Sequence, residues 1–360
     1  MDKRLQEIGE KVKQKIRLNK EDGVYLYHSD DLLAIGAMAR TKKIEASQRY
    51  VYFNVNRHIN LTNICVSRCK FCAFGVDENG TSGPYVMSPE EAFAFGAEAV
   101  GYGITEFHVV SALHPSKPFD YYVEVVKRLH EAYPQIHIQG FTAVEIFYFA
   151  QISGLSVREV LSTLKEAGLG SMPGGGAEVF NDDIRRELCP RKAMSDDWLR
   201  VHQTAHELGI KTNCTMLYGH VESIEDRVDH LMRLRELQDT APGFQSFIPL
   251  PFLPDNTRLS HIGRTSALDD LKTMAISRLM LDNIDHIKAF WIMLGIPLAQ
   301  IALEFGADDL DGTVIEERIM HSAGANTEKG IDKQAIVELI RESGYTPVER
   351  DTLYNIIEIF

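Results

Sequence analysis

Three cysteines fall within eight positions of a 360-residue chain, Cys65, Cys69 and Cys72, with the spacing C-x3-C-x2-C. Cysteine thiolates ligate iron–sulfur clusters, and three of them on one loop can hold three corners of a cubane [4Fe–4S] cluster. The fourth iron then lacks a protein ligand and is open to chelate a substrate or cosubstrate. An electron carrier would saturate all four irons. A structural zinc ion asks for four closed ligands, so a zinc reading needs a further one from afar, such as Cys189 or Cys214. Five cysteines are too few for a disulfide scaffold, and in a reducing compartment clustered thiols point to metal or redox chemistry.

Other side chains able to bind or react stand beside short apolar runs. Arg57, His58 and Asn60 precede the cysteines on a candidate strand, where alternation sends Arg57 and His58 to opposite faces, so only one of them can face a cavity. Thr142 and Glu145 in FTAVEIF either meet a ligand or open a helix. The run Pro173-Gly174-Gly175-Gly176-Ala177-Glu178 lets a ligand lie against bare backbone, with Glu178 free to take a ribose hydroxyl pair, or is simply a turn. It does not match a phosphate-binding P-loop. Tyr218 reads as a ligand contact and His220 as the cap of the helix that follows. His114, beside Pro115, reads as a substrate contact or proton donor, or as a satisfied loop histidine. Cys189 and Cys214 read as inert buried thiols, and Trp291 with Met293 as core filling first and an aromatic wall second.

Those positions need a scaffold that brings them together. From Val51 onward, short runs rich in β-branched and aromatic residues alternate with amphipathic stretches, the βαβα pattern of a parallel sheet. The strand candidates are FNVNRHINLT, EFHVVSA, IHIQGFTA, GSMPGG, KTNCTMLYG, FQSFIPL, HIKAFWIM and DDLDGT. Between them, Ser88 opens S-P-E-E and Ser223 opens S-I-E-D, both helix starts, while glycines in EAVGYG, LKEAG and AHELG close helices just before strands. Eight units predict an α/β fold, a (β/α)8 TIM-type barrel with helical N- and C-terminal extensions. A partial barrel of six units and a doubly wound sheet compete with it. Either architecture puts reactive groups at the C-terminal ends of strands. The expected boundaries are a helical extension over 1–50, with an N-cap at Ser29 or Asp30, a barrel over 51–325, and closing helices over 326–360.

Composition sets outer limits. Hydrophobic residues make up 44% and charged residues 25% of the chain, as in soluble globular proteins, so a packed core is expected. A formal charge of −13 argues against nucleic acid or an anionic membrane as main partner. No apolar stretch approaches the roughly 18 residues of a membrane span, and the opening MDKRLQEIGEKVKQKIRLNKEDG is charged and helical rather than signal-like. A cytoplasmic location is expected.

The spacing of the cysteines, the aromatic Phe71 before the last of them, and their place after the first predicted strand resemble the radical S-adenosylmethionine (SAM) enzymes. The resemblance implies a radical SAM barrel in which the open iron binds the amino and carboxylate groups of SAM. Further stretches, HPSKPFDYYVEVV, FTAVEIFYFA, PGGGAEVF, TMLYGHVES, KAFWIMLG and GADDLDGTVIEE, look like the aminofutalosine synthase family of the futalosine route to menaquinone. That implies addition of the 5′-deoxyadenosyl group of SAM to 3-[(1-carboxyvinyl)oxy]benzoate, aryl migration and loss of bicarbonate to give 6-amino-6-deoxyfutalosine, a carbon–carbon bond-forming transfer.

It also implies SAM consumed as a substrate, an external one-electron donor such as a flavodoxin or ferredoxin, and SAM contacts from Phe71, Ser111, Thr142, Glu145, Glu178 and Tyr218. Ser111-Ala112 stands where that superfamily commonly has Gly-Gly, which puts the backbone approach to the SAM amine in doubt. The two carboxylates of such a substrate suit arginine, with Arg57, Arg191 and Arg258 as candidates beside His58, Asn60 and His114. The competing readings are a dehypoxanthine futalosine cyclase, the lyase partner of deazaflavin (FO) synthesis, and a non-enzyme iron–sulfur or zinc module. WIMLG and DLDGTV are the stretches that separate the chain from the first two.

Overall fold

The computed structural model describes residues 2–80 and 83–360. Eleven strands follow in chain order: β1 Tyr50–Asn54, β2 Asn56–Ile59, β3 Glu106–Val109, β4 His137–Gly140, β5 Ser171–Met172, β6 Lys211–Tyr218, β7 Phe244–Pro251, β8 His286–Ile287, β9 Asp309–Gly312, β10 Thr346–Arg350 and β11 Ile356–Ile359. Strands β2 to β8 form one parallel sheet in sequential order. Each crossover carries at least one helix, as parallel neighbours require.

The curled sheet is joined edge to edge by the β9 segment. On one side the Asp308 amide donates to Ile287 O at 3.0 Å and the Ala289 amide to Asp309 O at 2.8 Å. On the other, β9 pairs in parallel with β1, and the His58 amide reaches Ile315 O at 3.1 Å. Buried charge fixes this closure. Asp308 accepts from Arg278 at 2.6 Å, from His286 at 2.9 Å and from the Ile287 amide at 2.8 Å. Its neighbour Asp309 accepts from Arg350 Nη2 at 2.7 Å and Nε at 3.0 Å, and from the Tyr354 hydroxyl at 2.8 Å.

Helix starts follow the sequence closely. Ser88 with Glu91 and Ser223 with Asp226 form reciprocal capping boxes, with Pro89 in the first turn of the former helix. The first fifty residues form helices Lys3–Lys13, Lys20–His28 and Leu32–Ser47, of which the third is capped by Asp31 rather than Ser29 or Asp30.

Three expectations change. FNVNRHINLT is two strands, because the chain breaks at Val55 and β1 leaves for a second sheet of order β11-β10-β1-β9. HIKAFWIM is extended only at its start: Trp291–Leu294 is a helical turn, held by the Trp291 indole donating to Gly312 O at 2.9 Å. An apolar run of that length does not distinguish strand from helix. The closing segment 326–360 is not all helix. After Lys333–Glu342 it returns as β10, parallel to β1, and β11, antiparallel to β10. That pairing joins Tyr50 to Thr346, a contact no local pattern announces.

Candidate active site

The loop that leaves β2 carries the cysteines and is fastened at both ends. The Cys65 amide donates to Val76 O at 3.1 Å, the Val66 amide to Leu113 O at 2.9 Å, and the Lys70 amide to Leu188 O at 2.8 Å. A Cβ added at Gly75 would lie 3.7 Å from the Cys65 sulfur and 3.8 Å from that of Cys72, so the bare glycine leaves the space between those two thiols open. Cys65, Cys69 and Cys72 all line one cavity of about 330 Å³. Among the described residues, no three Cys, His, Asp or Glu side chains converge tightly enough for a single metal ion. Three thiols carried on one loop around an open space suit an iron–sulfur cluster, which cysteine thiolates ligate.

Sequence-predicted residues from separate strands meet at this cavity. Phe71, Ser111, Thr142, Glu145, Glu178 and His58 all line it. Glu145 heads the helix Ala143–Ser153 and makes a capping box with Thr142, yet it is buried rather than solvated. Its carboxylate accepts from the Ser111 amide at 2.7 Å, the Thr142 amide at 2.8 Å and the Thr142 hydroxyl at 2.7 Å. Burial pushes this carboxyl up to about 7, with the hydrogen bonds pulling against it. The Ser111 hydroxyl accepts from the Thr62 amide at 3.2 Å. Glu178 meets the Lys192 ammonium at 2.6 Å, and Lys192 lies 5.2 Å above the Phe71 ring. Burial alone would raise the Glu178 carboxyl, but Lys192 holds it below the usual carboxylate range.

Other expected residues are not at the cavity. Arg57 points out of the barrel, over the Phe95 ring at 3.8 Å and toward Glu98 at 3.2 Å. Asn60 donates to Val110 O, and the His114 ring accepts from the Ser116 amide at 3.1 Å. Arg191 lines an adjoining pocket that shares Cys65 and Arg68 with the cavity, and it holds Val66 O, while Arg258 holds Arg68 O. Tyr218 is buried on the outer side of β6, its hydroxyl on Asp270 at 2.8 Å. His220 is bound within its own loop, to Leu217 O. Cys214 donates to Ser246 O, whereas Cys189 shares a hydrogen bond with Cys69. Gly174 serves packing: a Cβ there would sit 2.5 Å from the Cys214 backbone.

Sequence reasoning missed other cavity residues: Lys192 beside the cysteines, and His108, Gln139, Asn213, Lys288, Asp311 and Glu317. His108 stacks on His58 with ring centroids 4.4 Å apart. Burial, then His108, depresses His58 to about 4, so the ring is neutral. Period-two alternation along EFHV would have pointed to His108, and a lysine inside the apolar run HIKAFW to Lys288.

Residues 59–234 match the Radical SAM superfamily and residues 241–360 the CofH/MqnC C-terminal region. The aminodeoxyfutalosine synthase of Thermus thermophilus is 44% identical over all of this chain and 97% of its own length. That of Streptomyces coelicolor is 42% identical, over 98% of this chain and 93% of its own.

The chain belongs to the aminodeoxyfutalosine synthase family of radical SAM enzymes.

This family borders another. A 5-amino-6-(D-ribitylamino)uracil–L-tyrosine 4-hydroxyphenyl transferase of Methanopyrus kandleri is 41% identical, over 89% of this chain and 88% of its own length. The radical SAM barrel itself is shared more widely. Methylornithine synthase (PylB) superposes with a TM-score of 0.75 at 18% identity, covering 94% of this chain and 97% of its own. The hydrogenase maturase HydG of Carboxydothermus hydrogenoformans superposes at 0.74, also at 18% identity, over 97% of this chain and 80% of its own. Membership in the aminodeoxyfutalosine synthase family makes the chain a transferase-type radical SAM enzyme with a small-molecule substrate. Among the described residues no helix is long and apolar enough to cross a membrane.

Proposed function

We propose that the chain makes 6-amino-6-deoxyfutalosine from SAM, water and 3-[(1-carboxyvinyl)oxy]benzoate, releasing methionine and bicarbonate. The observation that carries this reading is a single cavity running from Cys65, Cys69 and Cys72 to the inner side chains His58, Lys288 and Asp311, in a chain 44% identical to such a synthase over its full length.

Cys65, Cys69 and Cys72 would hold a [4Fe–4S] cluster, and cluster and SAM together supply a carbon radical when bound. The protein's share is binding, orientation and exclusion of water. Ser111 and Thr142 offer small polar contacts beside the cysteines, tied to Glu145. Glu178, held ionised by Lys192, offers acceptors to ribose hydroxyls. Leu217, Phe252, Phe290 and Met293 supply apolar wall, which suits an aryl ring placed beside an adenosyl group. A cytoplasmic location and a small one-electron donor of the flavodoxin or ferredoxin class complete the proposal.

The second reading, transfer of a hydroxyphenyl group from tyrosine to a ribitylaminouracil, has the Methanopyrus relative behind it. One experiment separates the two. Anaerobic reconstitution with iron and sulfide, followed by SAM, a reductant and either substrate set, should give 6-amino-6-deoxyfutalosine only with the carboxyvinyloxy benzoate. Product from tyrosine and the uracil instead would replace the proposal with the second reading.

A further inference from the structure

Three cationic side chains line the cavity among the described residues, Arg68, Lys192 and Lys288. Two are committed elsewhere. Arg68 is partly exposed at the mouth and paired with Asp77, and Lys192 is bound to Glu178 and covers Phe71 beside the cysteines. Lys288 differs in place and company. It follows β8 directly, is only 5% exposed, and has one side-chain partner, Asp311, at 2.9 Å. An ammonium carries three donors, so this one has capacity left.

Asp311 is itself held at a cost. Its backbone lies at φ 69, in the left-handed region that disfavours a side chain, and its amide is bound to the Asp309 carboxylate at 2.5 Å. Strain of this kind concentrates at functional sites. Next to this pair is His58, buried, lining the same cavity, with an Nε2 that has no hydrogen-bond partner among the described residues. Glu317, also at this end, is fully occupied by the amides of Ile319, Met320 and His321 and by the His321 ring.

A buried lysine with spare donors beside an unpartnered imidazole nitrogen is a receptor for a carboxylate that enters with an otherwise apolar body. We propose that Lys288, oriented by Asp311 and assisted by His58 Nε2, binds the ring carboxylate of the aryl substrate and sets specificity for aryl acids. This rests on the function proposed above. None of Arg57, Arg191 and Arg258 lines this inner end of the cavity.

The test compares 3-[(1-carboxyvinyl)oxy]benzoate with its ring carboxamide in the reconstituted enzyme. Loss of one charge-assisted hydrogen bond is worth about tenfold or more, so the wild type should prefer the acid by at least that factor in kcat/KM. Lys288→Gln should abolish the preference through KM for the acid, while Lys288→Arg keeps it. Far-ultraviolet circular dichroism and iron–sulfur absorbance of reconstituted Lys288→Gln, matching the wild type, report that the variant is folded and loaded. A Lys288→Gln enzyme that still prefers the acid as the wild type does overturns the inference and leaves the function standing. A wild type that makes no product from the acid overturns the function and this inference with it.

Discussion

The amide of Ser111 donates to Glu145 Oε1 at 2.7 Å, and this bond fastens the segment leaving β3 to the helix leaving β4 at the rim of the cavity. The same carboxylate closes the capping box with Thr142, so one buried group organises two neighbouring loops. Its protonation therefore matters to both. Burial raises it from the ordinary 4.5 to about 7, which means the folded chain holds that proton more tightly than the unfolded chain. The resulting stabilisation is full below 4.5 and lost as pH rises through about 7. Urea midpoints of the protein without added iron should fall over that range, and Glu145→Gln should flatten the fall. An identical slope in wild type and variant would remove Glu145 as its cause.

The barrel's closing strand depends on a buried ion pair. Arg278 and Asp308 are both nearly inaccessible and 2.6 Å apart. Asp308→Asn leaves Arg278 uncompensated and should cost about 3–5 kcal/mol in chemical denaturation near neutral pH. Burial alone would raise the Asp308 carboxyl, but Arg278 and His286 bring it from 3.8 down to about 2. This contribution is present above 3.8 and lost as pH falls toward 2, so the gap between wild type and variant should narrow in acid. A constant gap would mean the pair is not what the variant loses.

Cys65→Ser, Cys69→Ser and Cys72→Ser should each abolish iron–sulfur absorbance after anaerobic reconstitution, while Cys214→Ser keeps it. Cys189→Ser is the sharper control. Its thiol touches Cys69 but does not line the cavity, so its loss should leave the absorbance intact. Loss of absorbance in that variant would instead argue for a fourth cysteine ligand and a closed metal centre.

Arg57→Gln and Tyr218→Phe probe residues that face away from the cavity. Arg57 lies over Phe95, and Tyr218 satisfies the buried Asp270 carboxylate. Each change should cost about 1–3 kcal/mol of stability with KM for both substrates unaltered. A large rise in KM with unchanged stability would restore either residue to the site.

The cysteine spacing, the alternation of strand and helix, and the capping pairs Ser88–Glu91 and Ser223–Asp226 were legible in sequence because each depends on neighbours within one turn or one loop. Ser111, Thr142, Glu145 and Glu178 were legible for a related reason: a parallel barrel puts the ends of consecutive strands on one rim, so position along each strand already implies the site. The direction a side chain takes was not legible where a strand is buried on both faces. Arg57 and Tyr218 occupy the right strands and turn outward, and no polar alternation marks which face is which. Lys288 and Asp311 lie 23 positions apart and belong to two strand candidates in which neither residue stands out. Only the pairing of β9 beside the end of β8 sets them 2.9 Å apart in one cavity. The return of β10 against β1 is of the same kind. Sequence by itself determined the chemistry at the mouth, because thiols on one loop need no fold to be neighbours. The tertiary structure decided the inner end, because there His58 from the first strand of the sheet meets the Lys288–Asp311 pair from its far edge only once the barrel closes.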